Sequence, residues 1–466
     1  MFVEDGLPPP ARYRAMAVII LGIAVSILDG TIVNLALPGI ARDLHASAAQ
    51  AVWVVNAYQV ATLAFLLPFA NLGDRVGYRR VYLSGLAFFT AASLGCTLAD
   101  SMPLLAAARA IQGLGAAGIM SVNTALVSLI YPRRMLGRGI AINSLVAAAA
   151  SVAGPSVAAA ILSVASWPWL FALNLPLGVV VLWLGFRALP HNPPGPAVGA
   201  RLLWVDVALN ALMFSLLFLG VDTLGTGAGQ GATSPALVSG VALLAVGVVV
   251  GVIYVRRQLI QPVPLFPVDL LRIPVFALSM GTSITAFAAQ TLTYIALPFL
   301  MLDGYGRTPI QAGLLITAWP IATVVVSPIV GRLIGRYPDG LLGGIGLGIM
   351  AAGLALLALL PDAPANADIV WRMVLCGIGF GMFQSPNNHT IVTTAPQHRS
   401  GGASGMLGTA RLTGQAIGAV ILAIIFSFAN AHNGHGPIIA LALASCFSAA
   451  GGTFSSLRLR HPRAAE

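Results

Sequence analysis

The sequence contains no lysine. All 24 basic residues are arginine, and they are set against only 14 Asp and Glu residues in 466 positions. Charged residues make up 8% of the chain, against roughly 25% in an ordinary soluble domain. So few charges cannot coat a water-soluble fold of this length, which excludes a string of soluble domains and leaves lipid as the solvent for most of the chain. Cysteine is scarce too. Cys96, Cys376 and Cys446 lie in apolar stretches without ligand spacing, which excludes a disulfide framework and a cysteine metal site. The seven histidines form no H-x-x-x-H pair, and His432 and His435 read as solvated loop residues. With no His/Glu/Asp cluster and no serine–histidine set in a span, neither a metal centre nor an enzyme is expected. The first apolar run, from Ala15, lacks a small-residue cleavage site and is expected to remain as a span.

Apolar residues, by contrast, reach 58%. A helix needs about twenty of them to cross roughly 30 Å of hydrocarbon. Runs of that kind fall at 15–38, 51–72, 80–99, 103–126, 137–163, 168–189, 204–221, 235–255, 274–302, 309–331, 341–361, 369–394, 402–428 and 437–455. The expected fold class is therefore an all-α membrane protein with fourteen spans. With a cytoplasmic N-terminus, nineteen arginines fall in inside segments and three (Arg42, Arg307, Arg372) outside, while Arg109 and Arg411 lie within spans. This bias predicts a multi-pass protein of the cell inner membrane with both termini cytoplasmic. It also explains the net charge of +10 as a topology signal and not a nucleic-acid face.

Two connections divide the chain. Residues 190–201 form a Pro/Gly-rich link, and 257–273 mix prolines, leucines and charges as a segment lying along the inner surface. The spans 204–221 and 235–255 between them read as an insertion. The expected organisation is a six-helix bundle over 1–190, an inserted pair with its link over 191–273, and a second six-helix bundle over 274–466. An internal repeat supports it: RAIQGLGAAG from Arg109 is echoed by RMVLCGIGFG from Arg372, each followed by an asparagine (Asn123, Asn387). A weaker echo links NLGDRVGYRR from Asn71 with RLIGRYPDG from Arg332.

Of the fourteen acids only Asp29 lies well inside a span. Placing an ionised aspartate at mid-bilayer costs roughly 2.5–3.5 kcal/mol on insertion scales. It can act as a hydrogen-bonded lock between helices or as a titrating proton carrier facing a wet cavity, and the second reading is preferred. Arg109 is its natural partner, on a stripe with Gln112, Ala116, Met120 and Asn123 at helical spacing; the bland alternative is a snorkelling arginine. Arg411, near Thr413 and Gln415, is a weaker candidate in the second half. Gly113, Gly115 and Gly118 sit within an apolar helix and read as close packing, not a nucleotide loop. Gly154-Pro155 removes a backbone hydrogen bond in the fifth span and marks a bend or close crossing. The turn Gly73-Asp74-Arg75-Val76-Gly77-Tyr78-Arg79-Arg80 places opposite charges at two helix ends and suggests a latch.

These stretches resemble signatures of the major facilitator superfamily, in particular its fourteen-helix drug:proton antiporters. LDGTIVNLALP (Leu28–Pro38) is similar to that subgroup's first-helix motif, GDRVGYRR to the cytoplasmic loop motif, RAIQGLG to the fourth-helix motif and Gly154-Pro155 to the core of the antiporter motif. WPWLFALNLP (Trp167–Pro176) is also typical of the subgroup. Departures include Ala150, Ala158 and Ala159 at usual glycine positions of the antiporter motif, Ala70 for the loop motif's first glycine, and Gly335 where its second-half acid would stand.

The resemblance implies a major facilitator fold of two six-helix bundles plus two inserted helices. It implies proton-coupled export of lipophilic or cationic drugs, dyes and biocides by alternating access, and so a role in antibiotic resistance. Asp29 and Arg109 would couple protons, and Gly73, Asp74, Arg75, Gly77, Arg79 and Arg80 would form the cytoplasmic gate. Asn34, Trp53, Tyr58, Phe65, Gln112, Asn123, Tyr294, Trp319, Phe383 and Arg411 are candidate lining of the substrate cavity. The partners are an amphiphilic small molecule, protons and membrane lipid, with the proton gradient in place of a cofactor and a monomer as the expected state. The rivals are an exporter or flippase of an endogenous amphiphile, a membrane-embedded enzyme, and a channel with uncoupled conductance.

Overall fold

The computed structural model describes residues 6–132, 135–191, 204–228, 235–261, 268–361, 363–394, 400–429 and 435–460. Among these the chain forms fourteen long helices, and the only β contact is an isolated bridge between Ile334 and Tyr337. The first six are α1 (Pro9–Asp43), α2 (Ala48–Val76), α3 (Tyr78–Thr97), α4 (Met102–Ile130), α5 (Leu136–Leu162) and α6 (Pro168–Ala188). Then come α7 (Trp204–Ala228), α8 (Pro235–Ile260), α9 (Pro274–Gly304), α10 (Pro309–Gly331), α11 (Asp339–Ala358), α12 (Asn366–Thr394), α13 (Ser400–Phe428) and α14 (His435–Leu457). Ten are long and apolar enough alone to cross a membrane. The other four, α3, α5, α7 and α12, are not among them. In α3 and α12 polar side chains face protein neighbours instead of lipid, Asn387 of α12 being fully buried.

Helices α1–α6 make one bundle and α9–α14 a second, built on the same local chemistry. Ser47 and Gln50 form a capping box at the start of α2, and Thr308 and Gln311 form the same box on α10; each satisfies helix-terminal N–H groups. Glycines let paired helices approach. A Cβ on Gly115 of α4 would lie 2.4 Å from the Phe89 nitrogen of α3, and one on Gly379 of α12 would lie 2.5 Å from the Met350 nitrogen of α11. The glycine-rich runs are thus packing devices.

Because the helices alternate in direction, both chain ends lie on one side, the terminal face; the other side is the far face. The bundles meet most fully toward the far face. There a single apolar cluster draws on both, joining Ile32, Leu37 and Val52 to Leu297, Phe299 and Ile316. Toward the terminal face their apolar cores are separate, one around Tyr82, Val122 and Ile130, the other around Phe276, Met280 and Ile391. At the far-face seam α5 and α10 are in close contact: Ser156 and Thr317 share a 3.0 Å hydrogen bond, and a Cβ on Gly313 would meet the Pro155 carbonyl oxygen at 2.7 Å. Arg42 and Asp303 bridge the same face at 3.9 Å.

Helices α7 and α8 pair with each other and dock on the opposite seam. Phe214 and Phe218 of α7 pack with Val60, Leu63 and Leu66 of α2 and with Leu412, Ala416 and Val420 of α13. Asp206 of α7 accepts from Arg257 Nε at 2.9 Å and from Gln261 Nε2 at 2.6 Å. The expected surface segment 257–273 ends in a short 3-10 turn, Val268–Arg272; its residues 262–267, and the Pro/Gly link from 192, lie outside the described residues.

The sixth span runs helically from Pro168 to Ala188, Leu173 keeping helical dihedrals and donating to the Trp169 carbonyl at 3.1 Å. One expectation is corrected: the repeat is displaced by one residue from Arg109 against Arg372. Thr62 Oγ1 donates to the carbonyls of Tyr58 and Gly113, and Thr323 Oγ1 donates to those of Trp319 and Gly377. Gly113 therefore corresponds to Gly377, which puts Met373, fully buried, in the place of Arg109. Arg372 points to the rim, where it pairs with Asp368 of its own helix at 3.3 Å.

Candidate functional site: a buried acid–guanidinium centre

Asp29 stands midway along α1, and no part of its side chain or that of Arg109 reaches solvent. Arg109 Nη1 donates to Asp29 Oδ2 at 2.6 Å. Gln112 Nε2 donates to Asp29 Oδ1 at 3.0 Å and Asn174 Nδ2 to the same oxygen at 2.6 Å. Helical spacing puts Arg109 and Gln112 on one face of α4, and Nη1 also donates to Gln112 Oε1 at 2.6 Å. Arg109 Nε donates to the Val54 carbonyl of α2 at 2.8 Å. Ser93 of α3 receives the second Gln112 hydrogen at 2.9 Å. Five helices thus hold one carboxylate through three charge-assisted or amide hydrogen bonds, the pattern a buried charge requires. Arg109 Nη2 and Asn174 Oδ1 have no partner among the described residues.

The guanidinium is also sandwiched. Its carbon lies 4.2 Å from the Tyr58 ring centre and 5.6 Å from that of Phe171, and cation–π contact gains strength when desolvated. The Tyr58 hydroxyl donates to the Ser26 carbonyl of α1 at 3.3 Å. Gly113 seats Tyr58, since a Cβ there would lie 2.3 Å from the Tyr58 carbonyl oxygen.

The expectation that Asp29 faces a wet cavity is corrected for this conformation: the acid is sealed inside the first bundle and locks its helices together. Gln112 belongs to the lock, and Asn123, about three turns further along α4, is buried with its Oδ1 unpaired. Trp319 and Phe383 are corrected as cavity lining, because both are fully buried in an aromatic cluster with Phe380 and Phe287 inside the second bundle. Tyr294 is half-buried and stacks on Trp319 at 5.3 Å. Trp53, Phe65, Asn34 and Arg411 are half-buried, Phe65 leaning on Phe69 at 5.6 Å and Asn34 keeping an unpaired Oδ1.

In the loop motif, Asp74 accepts from the Tyr78 hydroxyl at 2.7 Å and Arg75 Nε donates to Asn71 Oδ1 at 2.9 Å. The opposite charges of this turn are thus held by bonds between successive turns. Gly77 has φ 98°, a conformation that excludes a side chain, and a Cβ on Gly73 would meet Val122 at 2.6 Å. Arg79 reaches His191 and the Phe186 carbonyl at the end of α6, while Arg80 is exposed. In α5, a Cβ on Gly154 would lie 2.0 Å from Thr31 Oγ1, so this glycine sets the approach of α1 to α5, and Pro155 beside it faces α10. Residues missed from sequence are Asn174 and Ser93.

Two helical bundles that share an apolar core toward the far face and touch again along α2 and α13, with a buried ion pair at the core of one, define a secondary transporter of the two-bundle kind. The model of the Major Facilitator Superfamily matches residues 19–419, and the chain belongs to that superfamily. It is 52% identical over 459 residues to "Uncharacterized transporter YebQ" of Escherichia coli K12, covering 98% of each chain. It is 28% identical to "Riboflavin transporter RibZ" of Clostridioides difficile, covering 91% of this chain and 90% of that one. It is 31% identical to "Multidrug resistance protein Stp" of Mycobacterium tuberculosis, covering 87% of this chain and 74% of that one. The protein is a multi-pass membrane transporter and not an enzyme.

Proposed function

We propose that this transporter exports lipophilic small molecules, drugs and dyes among them, in exchange for protons, as the fourteen-helix drug:proton antiporters do. The observation that carries the reading is Asp29 tied to Arg109 at 2.6 Å in a site without solvent. A proton on Asp29 removes the charge that Arg109, Gln112 and Asn174 were arranged to hold. The locked state is then weakened, because a buried guanidinium without its anion is strongly unfavourable. Lock and proton carrier thus become two aspects of one group: the sealed pair is one state of the cycle, and protonation biases the bundles toward the other.

The named relative in Mycobacterium tuberculosis supports multidrug export. A second reading, export of an endogenous metabolite or lipid, draws on the relative named for riboflavin. We place the protein in the inner membrane as a monomer, with the terminal face cytoplasmic, from the arginine bias. In this orientation Gly73–Arg80 lies at the cytoplasmic gate and the α5–α10 contact closes the periplasmic side.

The test is proton release by purified protein on addition of a panel of acidic, neutral and cationic lipophilic compounds, with counterflow in proteoliposomes beside it. Native protein should release protons with at least one class, and Asp29→Asn should release none and lose transport driven by a pH gradient. Uphill transport surviving in Asp29→Asn would overturn the mechanism.

A further inference from the structure

Arg411 is half-buried on α13, with its Nε enclosed and lacking an acceptor. It points between the bundles. Gly414 and Gly418 on one side of α13 pack against the Ile284 and Ala288 carbonyls of α9. Leu412 and Ala416 on another side pack against α2 and α7, and Arg411 projects between these two sides. Gly405 and Gly408 abut Leu67 and Leu66 of α2. Because the two helices run antiparallel, this register brings Arg411 level with Thr62, about one turn from Tyr58.

No carboxylate is available to it. Neither α2 before Asp74 nor α9 before Asp303 contains an acidic residue. Asp29 is committed to Arg109, and Asp206 of α7 to Arg257. Among the described residues, Arg411 forms no ion pair. With no carboxylate of this chain paired to it, the open part of the guanidinium is available to an anion that arrives from outside the chain. Asp29 and Arg109 pair with each other, and the other buried arginine outside an ion pair, Arg458, is occupied by Ser279, Asn387 and Ser455.

We infer that Arg411 receives an acidic group of the substrate, so that the transported compounds are lipophilic acids in preference to permanent cations. This rests on the export reading above and narrows its substrate class. Tyr58, which holds the Arg109 guanidinium against its ring, is thus about one turn of α2 from the level of Arg411.

The test compares two dyes of one ring system, fluorescein as the acid and rhodamine 6G as the cation, by fluorescence anisotropy on the full-length protein in detergent. Native protein should bind fluorescein at least about tenfold more tightly, the usual scale of a charge-assisted contact. Arg411→Gln should remove the preference and Arg411→Lys should keep it. Arg411→Glu should invert it, an outcome that misfolding cannot mimic. Equal or tighter binding of rhodamine 6G by native protein, or an unchanged preference in Arg411→Gln, would overturn the inference. Counterflow separates the two proposals. A proton-driven flux favouring the cation refutes the charge assignment and leaves export intact. An Arg411-dependent preference without proton-driven flux does the reverse.

Discussion

In the first bundle Thr62 ties α2 to α4 through the carbonyls of Tyr58 and Gly113; in the second, Thr323 ties α10 to α12 through those of Trp319 and Gly377. The capping boxes at Ser47 and Thr308 match as well. What fills this shared frame differs. Where α4 presents Arg109 and Gln112, α12 presents Met373 and Cys376, all four fully buried. Where Tyr58 faces a guanidinium, Trp319 sits among Phe380 and Tyr294. Two bundles of one design thus differ at this place: one carries an acid–guanidinium pair, while the other is apolar there and keeps its own buried arginine, Arg458, elsewhere, bonded to Ser279 and Asn387.

The sharpest way to break this comparison is to give the first bundle the second one's residue. Arg109→Met strands Asp29 in the core and should cost about 3–5 kcal/mol, read as a large fall in the thermal unfolding midpoint in detergent. Adding Asp29→Leu should recover most of that stability and restore no proton-driven transport. If the double variant transports, the charged centre is only structural. The next effect concerns the frame. Gly113→Ala and Gly377→Ala each push a methyl to within 2.3 Å of a carbonyl oxygen, on Tyr58 and Trp319 respectively, and each should cost about 1–3 kcal/mol. Unequal losses would mean the two contacts are not equivalent. The smallest effect should come from Thr62→Val and Thr323→Val, each removing a bifurcated hydroxyl bond for about 1 kcal/mol. Thermal midpoints shifted by similar amounts would confirm the shared register.

Much of this was legible in the sequence. The spans stand out as apolar runs, ten of them long and apolar enough by themselves, and Asp29 and Arg109 stand out because charges within such runs are expensive. The rest depended on which way side chains turn. Asn174 was hidden because Pro168–Ala188 reads as one apolar run, whose composition does not say which of its faces meets the acid. Ser93 resembles any small polar residue that bonds its own helix, as it does to the Phe89 carbonyl at 2.8 Å. Arg372 drew the repeat out of register because residue identity is a weaker guide than glycine contact. Trp319 and Phe383 were indistinguishable from cavity aromatics, since a long apolar span gives little sign of which face meets lipid, protein or void.

Pro68 interrupts α2 and has no N–H to offer the carbonyl of Ala64 four residues before it. That oxygen accepts instead from Asn210 Nδ2 of α7 at 2.6 Å. The inserted pair is therefore not a spacer that could be excised to leave a twelve-helix transporter. Cutting it out would strand a main-chain acceptor in hydrocarbon, where no water can replace the lost donor. The flaw in one helix and the amide that mends it are parts of a single unit, and a shortened chain would have to lose the proline together with the insertion.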